Sequence, residues 1–368
     1  MKKIGMFQPH VSEEAIARVE QVLRSGWIGE GPVVKEFEQE IGKLLHSPYS
    51  VSVNSGTSAL HLALRVAGVQ AGDEVITTAQ TMLATSLSIM YTGAKPVYAD
   101  VQPLTGNICP QDIRKRISPK TKAILAVDWA GYPCDYDEIL EVAQDANLVV
   151  VEDAAHSLGA TYKERPIGSV CPYTCFSFQA IKNLTTGDGG LVCLSNELDY
   201  RTAVRLRWYG IDRERRRDSI LGEPIWNVEE VGYKYHMNDI AAAIGLGNLL
   251  HLQDTMLSRR KIVEKYRDSL KSVPGITLFK RQKDRQSGDW LFSVHVERRE
   301  NFCRMMRERG IPVSVVHLRI DSNDVCGGTR EDLPHLTDFT KTHVSLPLHP
   351  FLEDQDVEKI IKAVQSGW

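Results

Sequence analysis

From residue 49 to residue 153 the chain alternates between short apolar runs and longer segments of helical period, and this restricts its fold more than any other feature. Runs at 49–53, 74–78, 95–100, 122–128 and 148–153 read as strands, and segments beginning at Gly56, Thr81, Pro110 and Tyr136 read as helices. Ala123-Ile124-Leu125-Ala126-Val127 and Leu148-Val149-Val150-Val151 are apolar at every position. A strand wet on one side would alternate, so these lie in a sheet covered on both faces. The pattern predicts an α/β domain with a mainly parallel sheet.

Ligands of such sheets sit beyond the carboxyl ends of the strands. Asp153 ends the 148–153 run and is followed by Ala154, Ala155 and His156. A carboxylate buried there needs a cation or an amide to satisfy it. It reads either as a helix cap or as the counter-ion of a protonated ring nitrogen. Asn54-Ser55-Gly56-Thr57-Ser58 joins the first strand to its helix. Small residues at a helix N-terminus offer free N–H groups and hydroxyls to an anion, a phosphate best of all, although Ser and Thr are also ordinary caps. The turn has neither GxGxxG nor GxxxxGK[ST], which excludes the dinucleotide and P-loop readings.

The third feature is Phe176-Ser177-Phe178-Gln179-Ala180-Ile181-Lys182, followed by Thr185-Thr186-Gly187-Asp188-Gly189-Gly190. A strand ends near Phe178 and a turn returns to the run 191–194. Lys182, among apolar and neutral neighbours, is placed to lose its charge and act as a nucleophile. A phosphate cradle, a carboxylate at a buried strand end and a lysine are together what pyridoxal phosphate demands. The phosphate needs an anion site, the pyridine nitrogen a carboxylate, and the aldehyde an amine.

The flanks read more simply. Ser12 caps a helix with Ile16, Val19, Val22 and Leu23 as its apolar stripe, and Gly26 ends it. Trp27-Ile28-Gly29-Glu30-Gly31-Pro32 is either a plain connector or a strip of backbone over a ligand. The cluster Arg213, Arg215, Arg216 and Arg217 is either a solvated loop or a phosphate contact. Asn238-Asp239 caps an apolar helix at 240–252, continued by a second at 258–270. Beyond Pro274-Gly275 the elements shorten, with strands at 276–279, 290–296 and 313–317 and helices at 301–309 and 356–364. Residues 1–254 are expected to form the large domain and 255–368 a smaller α+β domain.

A net charge of -3 over 368 residues gives no reason to expect nucleic acid as a partner. No apolar run reaches a membrane span, and Met1-Lys2-Lys3 precedes no apolar h-region. Seven cysteines without a CxxC pair and histidines without metal spacing point to reduced thiols in a cytoplasmic protein and to no metal.

Several motifs together make the sequence recognisable: Gly29-Glu30-Gly31-Pro32, Asn54-Ser55-Gly56-Thr57-Ser58-Ala59-Leu60, Gly93-Ala94-Lys95-Pro96-Val97, Glu152-Asp153-Ala154-Ala155-His156, Lys182 with its glycine turn, and Ser345-Leu346-Pro347-Leu348-His349. The chain resembles, over nearly its whole length, the DegT family of pyridoxal-phosphate-dependent sugar aminotransferases, which have the fold of the aspartate aminotransferase class (fold type I). The resemblance implies that Lys182 forms the Schiff base and moves the proton. It implies that Asp153 pairs with the pyridine nitrogen, that His156 lies near the ring hydroxyl and that Ala155 packs on one ring face. Gly56, Thr57, Ser58 and Ser177 would hold the phosphate.

Two positions depart from the family pattern. Met82 stands where an aromatic usually covers the other ring face. Lys234 stands where an asparagine reaches the phosphate of the partner subunit's cofactor, and His236 stands where the family commonly has arginine. The resemblance further implies a homodimer with shared active sites, substrate contacts from Gly29, Glu30, His317 and Arg319, a nucleotide-linked keto sugar as acceptor and glutamate as donor. Alternatives are a sugar dehydratase of the same family, whose known members carry histidine in place of the lysine, and a cofactor-binding regulatory protein.

Overall fold

The computed structural model describes residues 4–368; the Met1-Lys2-Lys3 segment, from which the lack of a leader was argued, lies outside the described residues. The large sheet is built from β1 (Tyr49–Val53), β2 (Glu74–Thr78), β3 (Lys95–Ala99), β4 (Thr121–Val127), β5 (Val149–Asp153), β6 (Tyr173–Ser177) and β7 (Gly190–Leu194). Its order is β1-β7-β6-β5-β4-β2-β3. The pairs from β3 through β2, β4 and β5 to β6 are parallel, and β7 runs antiparallel to both β6 and β1. Val53, Asp153 and Ser177 therefore end their strands at the same edge of the sheet.

Neighbouring residues of each strand enter different cores, which explains the uninterrupted apolar runs. Ile124, Ala126 and Val150 pack on one face with the helices α2 (Pro32–Leu44), α5 (Pro110–Arg116) and α6 (Tyr136–Asp145). Ala123, Leu125 and Val151 pack on the other with α3 (Gly56–Val66) and α7 (Glu197–Leu206). Burying a side chain of this size contributes roughly 1.5–3 kcal/mol. A second, antiparallel sheet is formed by β8 (Ile276–Leu278), β9 (Phe292–Val296) and β10 (His343–Leu346). Helix α9 (Leu252–Leu270) joins the two parts: Leu252 and Met256 belong to the first core, and Ile262, Val263, Tyr266 and Leu270 to the small-sheet core.

Local expectations hold at several helix ends. In α1 (Glu13–Ser25), Ser12 accepts from the Ala15 N–H and Gly26 adopts the left-handed conformation. Three differ. The buried face of α1 is Ala15 and Val22, while Ile16 and Leu23 are 53% and 55% exposed. Close packing against α8 (Asp239–Leu249), where Gly247 meets Ala15, selects the smaller side chains. Helix α9 starts at Leu252 rather than residue 258. Residues 313–317 form no strand; only Ser314 bridges to Ser345. That segment turns toward the end of β2 instead, with Gln80 Nε2 donating to the His317 carbonyl at 3.2 Å and the Ile320 N–H donating to the Ala79 carbonyl at 2.9 Å. The helix Pro334–Thr342 is an addition to the predicted elements.

Candidate active site

At the carboxyl edge of the sheet, Asp153 is 4% exposed. Its Oδ2 accepts from the Thr85 hydroxyl at 2.8 Å and its Oδ1 from the Ala155 N–H at 3.2 Å. Thr85 is oriented in turn by Thr81 at 2.8 Å. Burial pushes the Asp153 carboxyl above its ordinary range, while the two hydrogen bonds and the nearby Lys182 ammonium pull it down. Thr85 lies within the segment singled out for Met82, but its bond to Asp153 is a contact across the fold that spacing does not reveal.

Lys182 lies five positions beyond Ser177, the last residue of β6. Burial pushes its amine down to about 7, opposed by attraction to Asp153. Lys182 Nζ lies 3.9 Å from the centroid of the Trp290 ring. Trp290 donates its indole N–H to the Ile181 carbonyl at 3.0 Å and stacks on His156 with centroids 3.8 Å apart. His317 stands 6.0 Å from His156, ring to ring. Burial and the Lys182 charge push His156 well below the ordinary histidine value and His317 down to about 4, so both rings are neutral at pH 7. Trp290 read in the sequence only as the start of a strand; a lone tryptophan beside Asp289 carries no signal of its place.

The turn before α3 comes against Ser177. A Cβ on Gly56 would lie 2.8 Å from Ser177 Cβ and 3.1 Å from its Oγ. Gly190 pairs with both Val53 and Ser177, which draws the two strand ends together. Ser55 Oγ accepts the Ser58 N–H at 3.1 Å, and Ser58 donates to Asn54 Oδ1 at 2.7 Å. The first amides of a helix have no intrahelical acceptor, so those of Gly56 and Thr57 remain at its positive end.

The remaining candidates lie differently. Met82 is 51% exposed at the start of α4 (Leu83–Tyr91). The backbone beside Lys234 meets the cradle, its carbonyl accepting from Asn54 Nδ2 at 3.2 Å, but its ammonium lies 3.6 Å over the Trp208 ring. His236 has its ring edge-on to Trp208, with centroids 4.0 Å apart. Glu30 is ion-paired to Arg207 at 2.9 Å and Arg213 at 3.0 Å, and Gly29 accepts the Asp239 N–H at 2.7 Å. Arg319 spends its guanidinium on Asp321 at 2.6 and 2.7 Å, on Thr337 and on the Arg330 carbonyl. That fork is committed inside the protein rather than free for a diphosphate.

A profile of the DegT/DnrJ/EryC1/StrS aminotransferase family matches residues 9–365. The chain belongs to this family. It is 38% identical to the spore coat polysaccharide biosynthesis protein SpsC of Bacillus subtilis, over 97% of this chain and 95% of that protein. It is 31% identical to GDP-perosamine synthase of Escherichia coli O157:H7, over 100% of this chain and 99% of that protein. The crystal structure of the sugar aminotransferase CalS13 from Micromonospora echinospora superposes with a TM-score of 0.95 at 35% identity, covering 99% of this chain and all (100%) of that one. DegT-family aminotransferases depend on pyridoxal 5'-phosphate, and this chain is a sugar aminotransferase of that kind.

The residues present fit the cofactor. His156 Nδ1 and His317 Nε2 are buried without a protein partner, beside an amine and a carboxylate of opposite charge. The Gly56–Ser177 approach leaves no room for a side chain where the helix amides open. Among the described residues no His/Cys/Asp/Glu group could hold a metal, and no helix is long and apolar enough to cross a membrane.

Proposed function

We propose that this chain transfers an amino group from glutamate to the carbonyl carbon of a nucleotide-linked keto sugar, working as a cytoplasmic homodimer with shared active sites. The observation that carries the reading is the Lys182 amine, pushed down to about 7 between Asp153 and two neutral histidines. Bound there, pyridoxal phosphate would supply an electron sink that carries the amine between the two substrates. The Gly56, Thr57, Ser58 and Ser177 groups would hold its phosphate, and Asp153 its ring nitrogen. Ala155 would pack on one ring face, and His156 would donate to or accept from the ring hydroxyl through its unpartnered Nδ1.

Lys182 does the proton work. An amine with a value near 7 is neutral in about half of the molecules at neutral pH and exchanges protons readily in either direction. Trp290 covers one side of that amine, and the segment carrying His317 stands near it. A nucleotide on the sugar is in keeping with the relative GDP-perosamine synthase, and glutamate as donor rests on the family resemblance alone. Met82, 51% exposed, and the apolar Ile16 and Leu23 are surfaces a second copy would cover. On the family resemblance, Gly29, Glu30 and His317 would contact the substrate and Lys234 the phosphate of the partner subunit's cofactor.

The test is incubation of the cofactor-loaded protein with glutamate and a panel of nucleotide keto sugars, read by mass. Conversion of one keto sugar to its amine with release of 2-oxoglutarate is expected. Cofactor uptake without amino transfer to any of them would overturn the substrate reading.

A further inference from the structure

Directly behind Asp153 lies a second pair of carboxyl groups that the chemistry above does not use. Glu152 precedes Asp153 on β5, and Asp128 follows β4; the strands pair so that Val127 faces Asp153 and Ala126 faces Glu152. Neighbouring residues of a strand point to opposite faces, so Glu152 projects away from the cofactor side. Both Glu152 and Asp128 are 0% exposed.

Of their four carboxyl oxygens, two accept hydrogen bonds from the protein and two do not. Asp128 Oδ1 accepts from the Cys134 N–H at 2.8 Å and from the Tyr136 hydroxyl at 2.6 Å. Glu152 Oε2 accepts from the Thr174 hydroxyl at 2.7 Å. Asp128 Oδ2 and Glu152 Oε1 have no donor, although the two carboxyls are within hydrogen-bonding reach of each other. The other groups facing the pair are Ser157 and the thiols of Cys134, Cys171, Cys175 and Cys193, with Asp135 and Arg165 farther off. None places a cation against either carboxyl.

Two unpaired buried carboxylates in contact would be prohibitively costly, whereas one proton satisfies both orphan oxygens. We infer that Asp128 and Glu152 share a single proton at neutral pH, and that the resulting hydrogen bond clamps β4 to β5 as a positioning device for Asp153. Burial and the like charge of the partner both drive Glu152 upward, which agrees with the shared proton. The clamp acts at short range: the Asp128 N–H donates to the Asp153 carbonyl at 3.1 Å, so the pair and the cofactor-side carboxylate hang from one stretch of backbone.

The positioning half of this inference rests on the reading of Asp153 above; the shared proton does not. Infrared spectra of the apo chain at pH 8 test the proton. A protonated-carboxyl carbonyl band is expected in the wild type and should vanish in both Glu152→Gln and Asp128→Asn, where an amide N–H replaces the proton. No such band in the wild type, or its survival in both variants, overturns the sharing. The positioning role is tested by the pH titration of the visible absorption that pyridoxal phosphate acquires on binding. Glu152→Leu should move the midpoint by a factor of about ten or more in proton concentration, and Glu152→Gln should restore it. A midpoint equal to wild type in both variants overturns the clamp. If Glu152→Leu does not fold, the same comparison is made with Glu152→Ala, which should move the midpoint likewise; a wild-type midpoint there overturns the clamp. A wild-type chain that takes up no cofactor overturns the reading of Asp153 and with it the positioning role, while the infrared result stands.

Discussion

The Lys182 amine and the Trp290 ring, 108 positions apart in the sequence by subtraction of their numbers, lie with Nζ 3.9 Å from the ring centroid. The same indole fixes the backbone before the lysine through the Ile181 carbonyl and stacks on His156. One side chain thereby orders the nucleophile, its backbone and a neutral histidine.

Removing that ring should therefore damage the site and the fold together. Trp290 is 1% exposed, and Trp290→Ala is expected to cost roughly 3–5 kcal/mol of stability. Trp290→Phe keeps an aromatic face but loses the indole bond, a cost of about 1 kcal/mol, and should retain measurable amino transfer. Urea unfolding with single-turnover assays of both variants checks the ranking.

Lys182 carries a stability cost with a defined pH window. Its value falls from an ordinary 10.5 to about 7 in the fold. Below 7 both states hold the proton and the burial cost is complete; between 7 and 10.5 only the unfolded chain stays protonated, so stability rises with pH. Lys182→Met should thus stabilise the apo chain at pH 6, on the order of 2 kcal/mol after allowing for water in the cleft, and by much less above pH 10. The same variant should bind no cofactor covalently and should not turn over. Denaturant titrations at the two pH values measure the difference.

Gly56→Ala places a methyl group against Ser177 at 2.8 Å. Overpacking of this kind costs about 1–3 kcal/mol. Because the strain falls on the cradle, pyridoxal phosphate affinity should drop by roughly 10- to 100-fold, equivalent to about 1.4–2.8 kcal/mol. Absorbance titration of the apo protein with cofactor reads this directly.

Arg207 is 6% exposed and bridges Glu30 and Glu38 while donating to the Ser52 carbonyl at 2.9 Å. Arg207→Met leaves Glu38 buried beside β1 without its cation. Breaking a buried pair from one side costs about 3–5 kcal/mol. A lowered urea midpoint is expected, larger than that of Arg213→Met, whose side chain is 49% exposed.

Much of this architecture was legible in the sequence. The central strands leading to Asp128 and Asp153 could be read because Ala123 to Val127 and Leu148 to Val151 are apolar without interruption, a direct consequence of two buried faces. The residues around residue 315 misled for the same reason in reverse: Val313, Val315 and Val316 have strand-like chemistry, yet their chain bends away so that His317 reaches Gln80. The substrate contact that the resemblance implies for Arg319 meets a guanidinium already paired with Asp321, two residues on, a pairing that spacing alone does not reveal.

By itself, then, the sequence determined the α/β layering, the helix caps at Ser12 and Gly26 and the three separate pieces from which a pyridoxal-phosphate site could be built. These follow from local rules: periodicity reports which faces are buried, and side-chain chemistry reports what a strand end can do. Only the tertiary structure decided that Trp290 and His317 close over Lys182, that Thr85 anchors Asp153 and that Asp128 meets Glu152. Each of those depends on which distant segments share a space, and burial at one position does not specify the neighbour that provides it.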